Sequence, residues 1–204
     1  MIDIKRYNKL KEEYGHVSSW TIWGQPTTGV SSNIPDMSIF KDKNICNKLN
    51  DKYVFVGLNG SSTHGNQDDE PWKNFHSSYE NQRDYKLRYA LTGSEFWGSY
   101  ITDIIKVFEG DREESKEVSS KKFMSKLRKH PKVVDENIEI FKNELSILSD
   151  EKPILIAIGN DSHNILKNNL KGYEIHKIKH YSSWGGPEEY KKEVWEKLEK
   201  IFEE

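Results

Sequence analysis

Three polar segments of this chain carry residues able to bind, orient or polarise a substrate. The first is residues 57–63, where Gly57 and Gly60 bracket Leu58 and Asn59 and lead into Ser61, Ser62 and Thr63. Glycines let a backbone approach a ligand closely, and the amides and hydroxyls of such a turn can hold a phosphate. The second is Asp103, a carboxylate in an otherwise apolar stretch, and the third is His180, Tyr181, Ser182 and Ser183. The first segment lacks the lysine of a P-loop and the third glycine of a dinucleotide fingerprint, so it reads as a ligand-contacting turn or as a plain strand-to-loop turn. Asp103 reads also as a cap at a strand end, and His180 as a structural histidine. The acidic run Asp68, Asp69, Glu70 can supply a base or a metal site, although adjacent acids in a loop are ordinarily just solvated. His64, His76 and His163 are too scattered for a ligand pattern, so no metal is expected.

The elements that must position these segments follow from hydrophobic pattern. Tyr53, Val54, Phe55 and Val56 form a continuous β-branched and aromatic run that ends at Gly57 and fits a buried parallel strand, with a long polar loop after it. Residues 100–105 read as a second strand carrying Asp103 at its end, residues 154–158 as the cleanest strand, and residues 173–178 as a strand running into His180. A short apolar run, residues 20–23, precedes a turn-rich stretch. Helical spacing appears at Ile4, Tyr7, Leu10 and Tyr14, and again at Ile138, Phe141, Leu145 and Leu148 behind Asp135 as N-cap. It recurs at Ile165, Leu166 and Leu170 after Gly159, and from Pro187 through Tyr190, Val194, Trp195, Leu198 and Ile201. The alternation predicts one domain over residues 1–204, a three-layer α/β/α sandwich with a mostly parallel central sheet. In such sheets ligands collect at the carboxyl ends of the strands, where all three polar segments fall.

Composition narrows the classes. Six Trp, ten Tyr and eight Phe supply a core although only 34% of residues are hydrophobic. Cys46 is alone, so neither a disulfide framework nor a four-cysteine cluster can form within the chain. No run of about 18 apolar residues occurs, and the charged start is unlike a signal peptide, so a cytoplasmic protein without a membrane partner is expected. The net charge of −2 and pI near 6.4 argue mildly against a polyanion partner, yet phosphates feel local charge rather than the sum. Lys121, Lys122, Lys126, Arg128, Lys129 and Lys132 form either a phosphate-binding strip or a solvated helix face.

Gly57, Leu58, Asn59, Gly60 and Ser61 resemble the first motif of the uracil-DNA glycosylase superfamily, closest to its mismatch-specific and single-strand-selective branches, where Gly-x-Asn-Pro-Gly is found. Asn74, Phe75 and His76, then Thr102 and Asp103, residues 156–159, and finally His180, Tyr181 and Ser182 fall in the order of the superfamily's later segments. The resemblance covers residues 53–184, and the ordered set carries it rather than any one motif.

The resemblance implies a uracil-DNA-glycosylase-like fold and a monofunctional DNA base glycosylase. Such an enzyme needs no cofactor, acts as a monomer on single- or double-stranded DNA, and hydrolyses the N-glycosidic bond of a flipped pyrimidine. Asn59 would hold the water through its carbonyl, contributing orientation rather than proton removal. His180 would donate to the base oxygen as charge builds there, and the backbone of Gly57 and Leu58 would contact the base edge. Phe75 would stack on the base, unless it is ordinary core. Ser61, Ser62, Ser182 and Ser183, with Lys126 and Arg128, would bind DNA phosphates. Two letters depart from the family pattern. Tyr181 replaces the proline of His-Pro-Ser, which changes loop rigidity, and Asp103 stands where uracil-reading members carry Asn. An ionised carboxylate only accepts hydrogen bonds and favours a base presenting an amino group, such as a modified cytosine, whereas a protonated Asp103 can match uracil. Two other classes stay open. One is an N-glycosidic hydrolase or transferase of free nucleosides or nucleotides, which the acidic pI suits; the other is a glycosylase-like module that binds DNA or a partner without turnover.

Overall fold

The computed structural model describes residues 2–24, 29–59, 70–77, 83–106 and 120–203. Among these residues it is an α/β protein with a five-strand mixed, mostly parallel sheet and six helices. The strands are β1 (Ser18–Trp20), β2 (Asn50–Asn59), β3 (Ser99–Ile105), β4 (Ile154–Ile158) and β5 (Ile175–Ile178), in the order β1-β3-β2-β4-β5. The last four in that order run parallel, and β1 adds an antiparallel edge on β3. The helices are α1 (Ile4–Tyr14), α2 (Asp84–Leu91), α3 (Ser120–Lys129), α4 (Pro131–Leu148), α5 (Asn160–Asn169) and α6 (Pro187–Leu198).

The central strand explains its own sequence. Val54, Val56 and Leu58 of β2 point into one apolar cluster with Tyr7 and Leu10 of α1 and Phe141 and Leu145 of α4. Tyr53 and Phe55 point into a second cluster with Leu87 and Leu91 of α2 and Tyr190 and Val194 of α6. A strand buried on both faces needs apolar residues at both parities, hence an unbroken run instead of an alternating one. Local signals set the helix starts. Asp3 caps α1 by accepting from the amides of Lys5 and Arg6, and Pro187 opens α6 at a position where its missing N–H costs nothing.

Three expectations need correction. α4 begins at Pro131, so Asp135 is an exposed residue inside the helix rather than its N-cap; the proline, placed at the first helical position, starts the helix a turn earlier. The segment expected to be polar loop contains α2, whose buried Leu87, Ala90 and Leu91 recur at helical spacing between charged neighbours. β3 does not end at Asp103 but runs on to Ile105, which makes Asp103 a strand-interior carboxylate. Of the apolar run at residues 20–23, Trp20 ends β1, and Ile22 and Trp23 are buried beyond it. No helix among the described residues is long and apolar enough to cross a membrane.

The winding of the sheet fixes where a ligand can enter. The chain leaves β2 for β3 on one side and leaves β4 for β5 on the other, while β2 and β4 lie side by side. Their carboxyl ends, at Asn59 and Gly159, therefore meet at a topological switch point, the place where ligands collect in sheets of this kind.

Candidate functional site

Asp103 is the centre of the described site. It sits opposite Gly57 in the β2–β3 register and is only 4% exposed. Its side chain lies over the Gly57 backbone, so that a Cβ added to Gly57 would overlap Asp103 Oδ1 and come within 3.7 Å of Phe75 Cε1. Glycine at this point is a requirement of close approach, not of backbone freedom. The other carboxylate oxygen accepts from Asn74 Nδ2 at 3.1 Å, and the same amide nitrogen donates to the Val17 carbonyl at 2.7 Å. Burial pushes the Asp103 pKa up to about 7, against the Asn74 hydrogen bond and the nearby Lys106 charge, while Glu144 and Asp84 push it further up.

The segment that delivers Asn74 and Phe75 is held in a strained shape. Trp72 and Phe75 both adopt positive φ, 72° and 65°, which bulky residues rarely do. The cost is met by anchors on every side. The Trp72 amide donates to the Gly15 carbonyl at 2.7 Å, Ser19 Oγ donates to the Trp72 carbonyl at 2.6 Å, and Trp23 Nε1 donates to the Phe75 carbonyl at 3.2 Å. Backbone strain maintained this way beside a buried carboxylate is a mark of a working site. His76 is enclosed between Trp23 and Phe40, and burial lowers its pKa to about 4.

His180 arrives from the loop that follows β5. The half-buried ring packs over Gly159, whose φ of 95° calls for glycine, and tilts against Tyr181 with ring centroids 4.4 Å apart. Burial lowers its pKa to about 4, so the ring is neutral near pH 7. The Ser182 amide donates to His180 Nδ1 at 3.1 Å, and an amide nitrogen can only donate. Nδ1 is therefore the acceptor and the ring proton resides on Nε2, which makes Nε2–H a directed donor. Tyr181 carries the link to Asp103: burial raises its hydroxyl pKa well above 10, as do the charges of Asp84 and Asp103. Asp84, whose charge acts on the Tyr181 hydroxyl, accepts from the Ser77 amide through Oδ2 at 3.0 Å.

The expected residues divide accordingly. Gly57, Phe75 and Asp103 meet on the second-cluster face, and Asn59, two residues along β2 from Gly57, ends the strand with the same parity. Leu58 sends its side chain to the opposite face, leaving only its backbone toward Asp103. Phe75 is buried in the second cluster, with one edge over Gly57. The Ser182 amide and hydroxyl both lie on His180 Nδ1, and Ser183 turns inward with a buried hydroxyl. Lys126 and Arg128 are on α3, which packs through Phe123 and Leu127 on the first cluster, away from the Asp103 face. Ser61 and Ser62, with Gly60, Thr63, His64, Asp68 and Asp69, lie outside the described residues.

Sequence reasoning missed Asp84 and Lys86. Both are buried at the start of α2, and the signal that would have found them is the Leu87, Ala90, Leu91 spacing behind an acidic residue. It also left Asn74 without a role, although an amide beside a strained aromatic is the natural partner of a buried carboxyl.

Fold and site define an α/β protein with buried polar side chains near the switch point of a mixed, mostly parallel sheet. Comparison with protein-family models, with curated proteins and with solved structures found no match to this chain.

Proposed function

We propose that this chain is a DNA base glycosylase of the uracil-DNA glycosylase type, with the three-layer arrangement that the resemblance implies, acting on a flipped pyrimidine. The observation that carries the reading is Asp103, a buried carboxyl inside a parallel strand, packed on an obligatory glycine and oriented by Asn74. A group of that kind reads hydrogen-bonding edges, because in a dry pocket each unmatched donor or acceptor costs about 1 to 3 kcal/mol. The His180 Nε2–H supports the companion role. A neutral imidazole donates to the base oxygen as negative charge develops on departure, without adding a full charge to the pocket. Asn59 at the end of β2 orients the water, and Trp184, 88% exposed in the His180 loop, offers a flat apolar face on which a neighbouring base can stack.

Substrate choice follows the protonation of Asp103. Below a pKa of about 7 the carboxyl is neutral, donates to a uracil carbonyl and accepts from its N–H. Above it the carboxylate only accepts and suits a modified cytosine with its amino group. The test measures abasic sites in single- and double-stranded oligonucleotides carrying uracil or modified cytosines, from pH 5.5 to 9. Uracil excision is expected to fall about tenfold per pH unit above about 7, and Asp103→Asn is expected to make it independent of pH across that range. Binding to the whole panel without an abasic site would overturn the glycosylase reading in favour of a non-catalytic module. The acidic pI favours a second reading, N-glycosidic chemistry on free nucleotides, and base release from nucleotides that long DNA does not compete away would select it.

A further inference from the structure

The His180 loop contains its own reason to be loose. It runs from the end of β5 at Ile178 to Pro187, includes Gly185 at φ 112° and Gly186, and leaves Trp184 in solvent. Yet His180 must hold its ring steady for Nε2–H to point at one atom, since a misplacement of about 1 Å can cost about 100-fold in rate. What fixes the loop comes from α2. Lys86, only 1% exposed, donates from Nζ to the Ser183 carbonyl at 2.8 Å and to the Gly185 carbonyl at 2.6 Å. Arg83 Nη1 also donates to the Ser183 carbonyl, at 3.4 Å.

Lys86 is an expensive way to fill space. Both of its hydrogen-bond partners among the described residues are neutral carbonyls, so its burial is not balanced by a directly paired carboxylate. Burial lowers its pKa, Arg83 and Lys179 lower it further, and only Glu189 opposes them. A methionine has nearly the same shape and would pack among the same neighbours without the desolvation cost. The ammonium supplies what methionine cannot: two charge-assisted hydrogen bonds that fix both ends of the Ser183 to Gly185 turn.

We propose that the first turn of α2 is a clamp on the His180 loop, with Lys86 as a positioning residue that sets the ring through the Ser183 and Gly185 carbonyls. Arg83 is its auxiliary. The effect of the clamp on excision rests on the glycosylase reading above, whereas the clamp itself does not.

The experiment separates the two. Histidine titrations are followed by NMR in the full chain and in its Lys86→Met and Arg83→Gln variants, alongside excision kinetics. In the unmodified protein His180 titrates near 4. In Lys86→Met the freed loop lets water reach the ring, and its pKa is expected to rise by at least one unit toward 6.5. His76, buried between Trp23 and Phe40, is the internal control and stays near 4, a contrast that general loosening of the protein would erase. Arg83→Gln removes only the longer contact with the Ser183 carbonyl, and is expected to move His180 in the same direction by less; it carries the test should Lys86→Met fail to fold. In the kinetics kcat falls 10- to 100-fold while KM changes less than threefold. A His180 titration unmoved in the folded variants overturns the clamp, whatever the kinetics. A shifted His180 in a protein that excises nothing sustains the clamp and removes the glycosylase reading.

Discussion

At the scale of single residues, Asp103 ties the stability of the protein to pH in a direction opposite to that of most aspartates. Its folded-state pKa of about 7 exceeds the ordinary 3.8, so between those values the folded protein keeps a proton that the unfolded chain has released. Stability from this group is complete below the unfolded value and declines as pH rises, until the loss is full above about 7. At about 1.4 kcal/mol per pH unit this amounts to roughly 4 to 5 kcal/mol. Asp103→Asn keeps the shape and the acceptor for Asn74 while removing the titration. Urea unfolding at pH 4.5 and pH 8 is expected to show the variant gaining on the parent as pH rises, and parallel stability profiles would sink the assignment. Gly57→Ala tests the same contact from the other strand. Its methyl group has no space beside Asp103 Oδ1, and the displaced carboxyl costs about 1 to 3 kcal/mol and at least a tenfold loss of uracil discrimination, read by unfolding and by competition between uracil and thymine substrates.

At the scale of elements, β3 and α4 are joined through polar groups that the sequence disguises. Lys106, just past β3, pairs with Glu144 Oε2 at 2.8 Å, both side chains being almost wholly buried. Glu144 Oε1 accepts from Tyr100 and Thr102 at 2.9 Å each, and Lys106 also donates to the Thr102 hydroxyl and the Asp103 carbonyl. Lys106→Met leaves the Glu144 charge buried without its counter-ion, and is expected to destabilise by about 3 to 5 kcal/mol. Adding Glu144→Gln is expected to recover more than half of that, as measured in a double-mutant cycle by chemical denaturation; additive costs would show that the pair is not coupled. Such networks mark the limit of legibility. β2, β4 and α6 were readable because burial on both faces, or on one stripe, leaves a repeating apolar pattern. α2 was not, because Lys86 and Arg88 are buried among its apolar residues and break the contrast between faces. Asp103 was placed at a strand end because charge in a strand interior is costly, and the partner that makes it tolerable, Asn74, lies in a distant loop.

At the scale of the whole molecule, the candidate site was legible as an ordered set of segments, since the carboxyl-end rule already gathered Asn59, Asp103 and His180 onto one edge of a parallel sheet. What the chain presents to a polyanion was not legible, because a net charge of −2 says nothing about which face carries which sign. At physiological ionic strength charges beyond about 8 Å are screened, so affinity depends on the cations that reach individual phosphates. Lys126 and Arg128 on α3 belong to the first-cluster side, whereas Gly57, Phe75 and Asp103 face the second. On the proposed reading, DNA with a base at Asp103 must pass over the strand ends for its backbone to meet α3. If it does so, Lys126→Ala/Arg128→Ala removes two phosphate contacts, and the plot of log affinity against log salt is expected to flatten by about 1.4 for single strands and 1.8 for duplex. Phosphate contacts carry no base information, so the ratio of uracil to modified-cytosine excision stays unchanged. Fluorescence anisotropy between 50 and 200 mM salt reads the slope directly. An unaltered slope would make α3 a solvated face and turn the search for backbone contacts to the edge that carries His180 and Trp184.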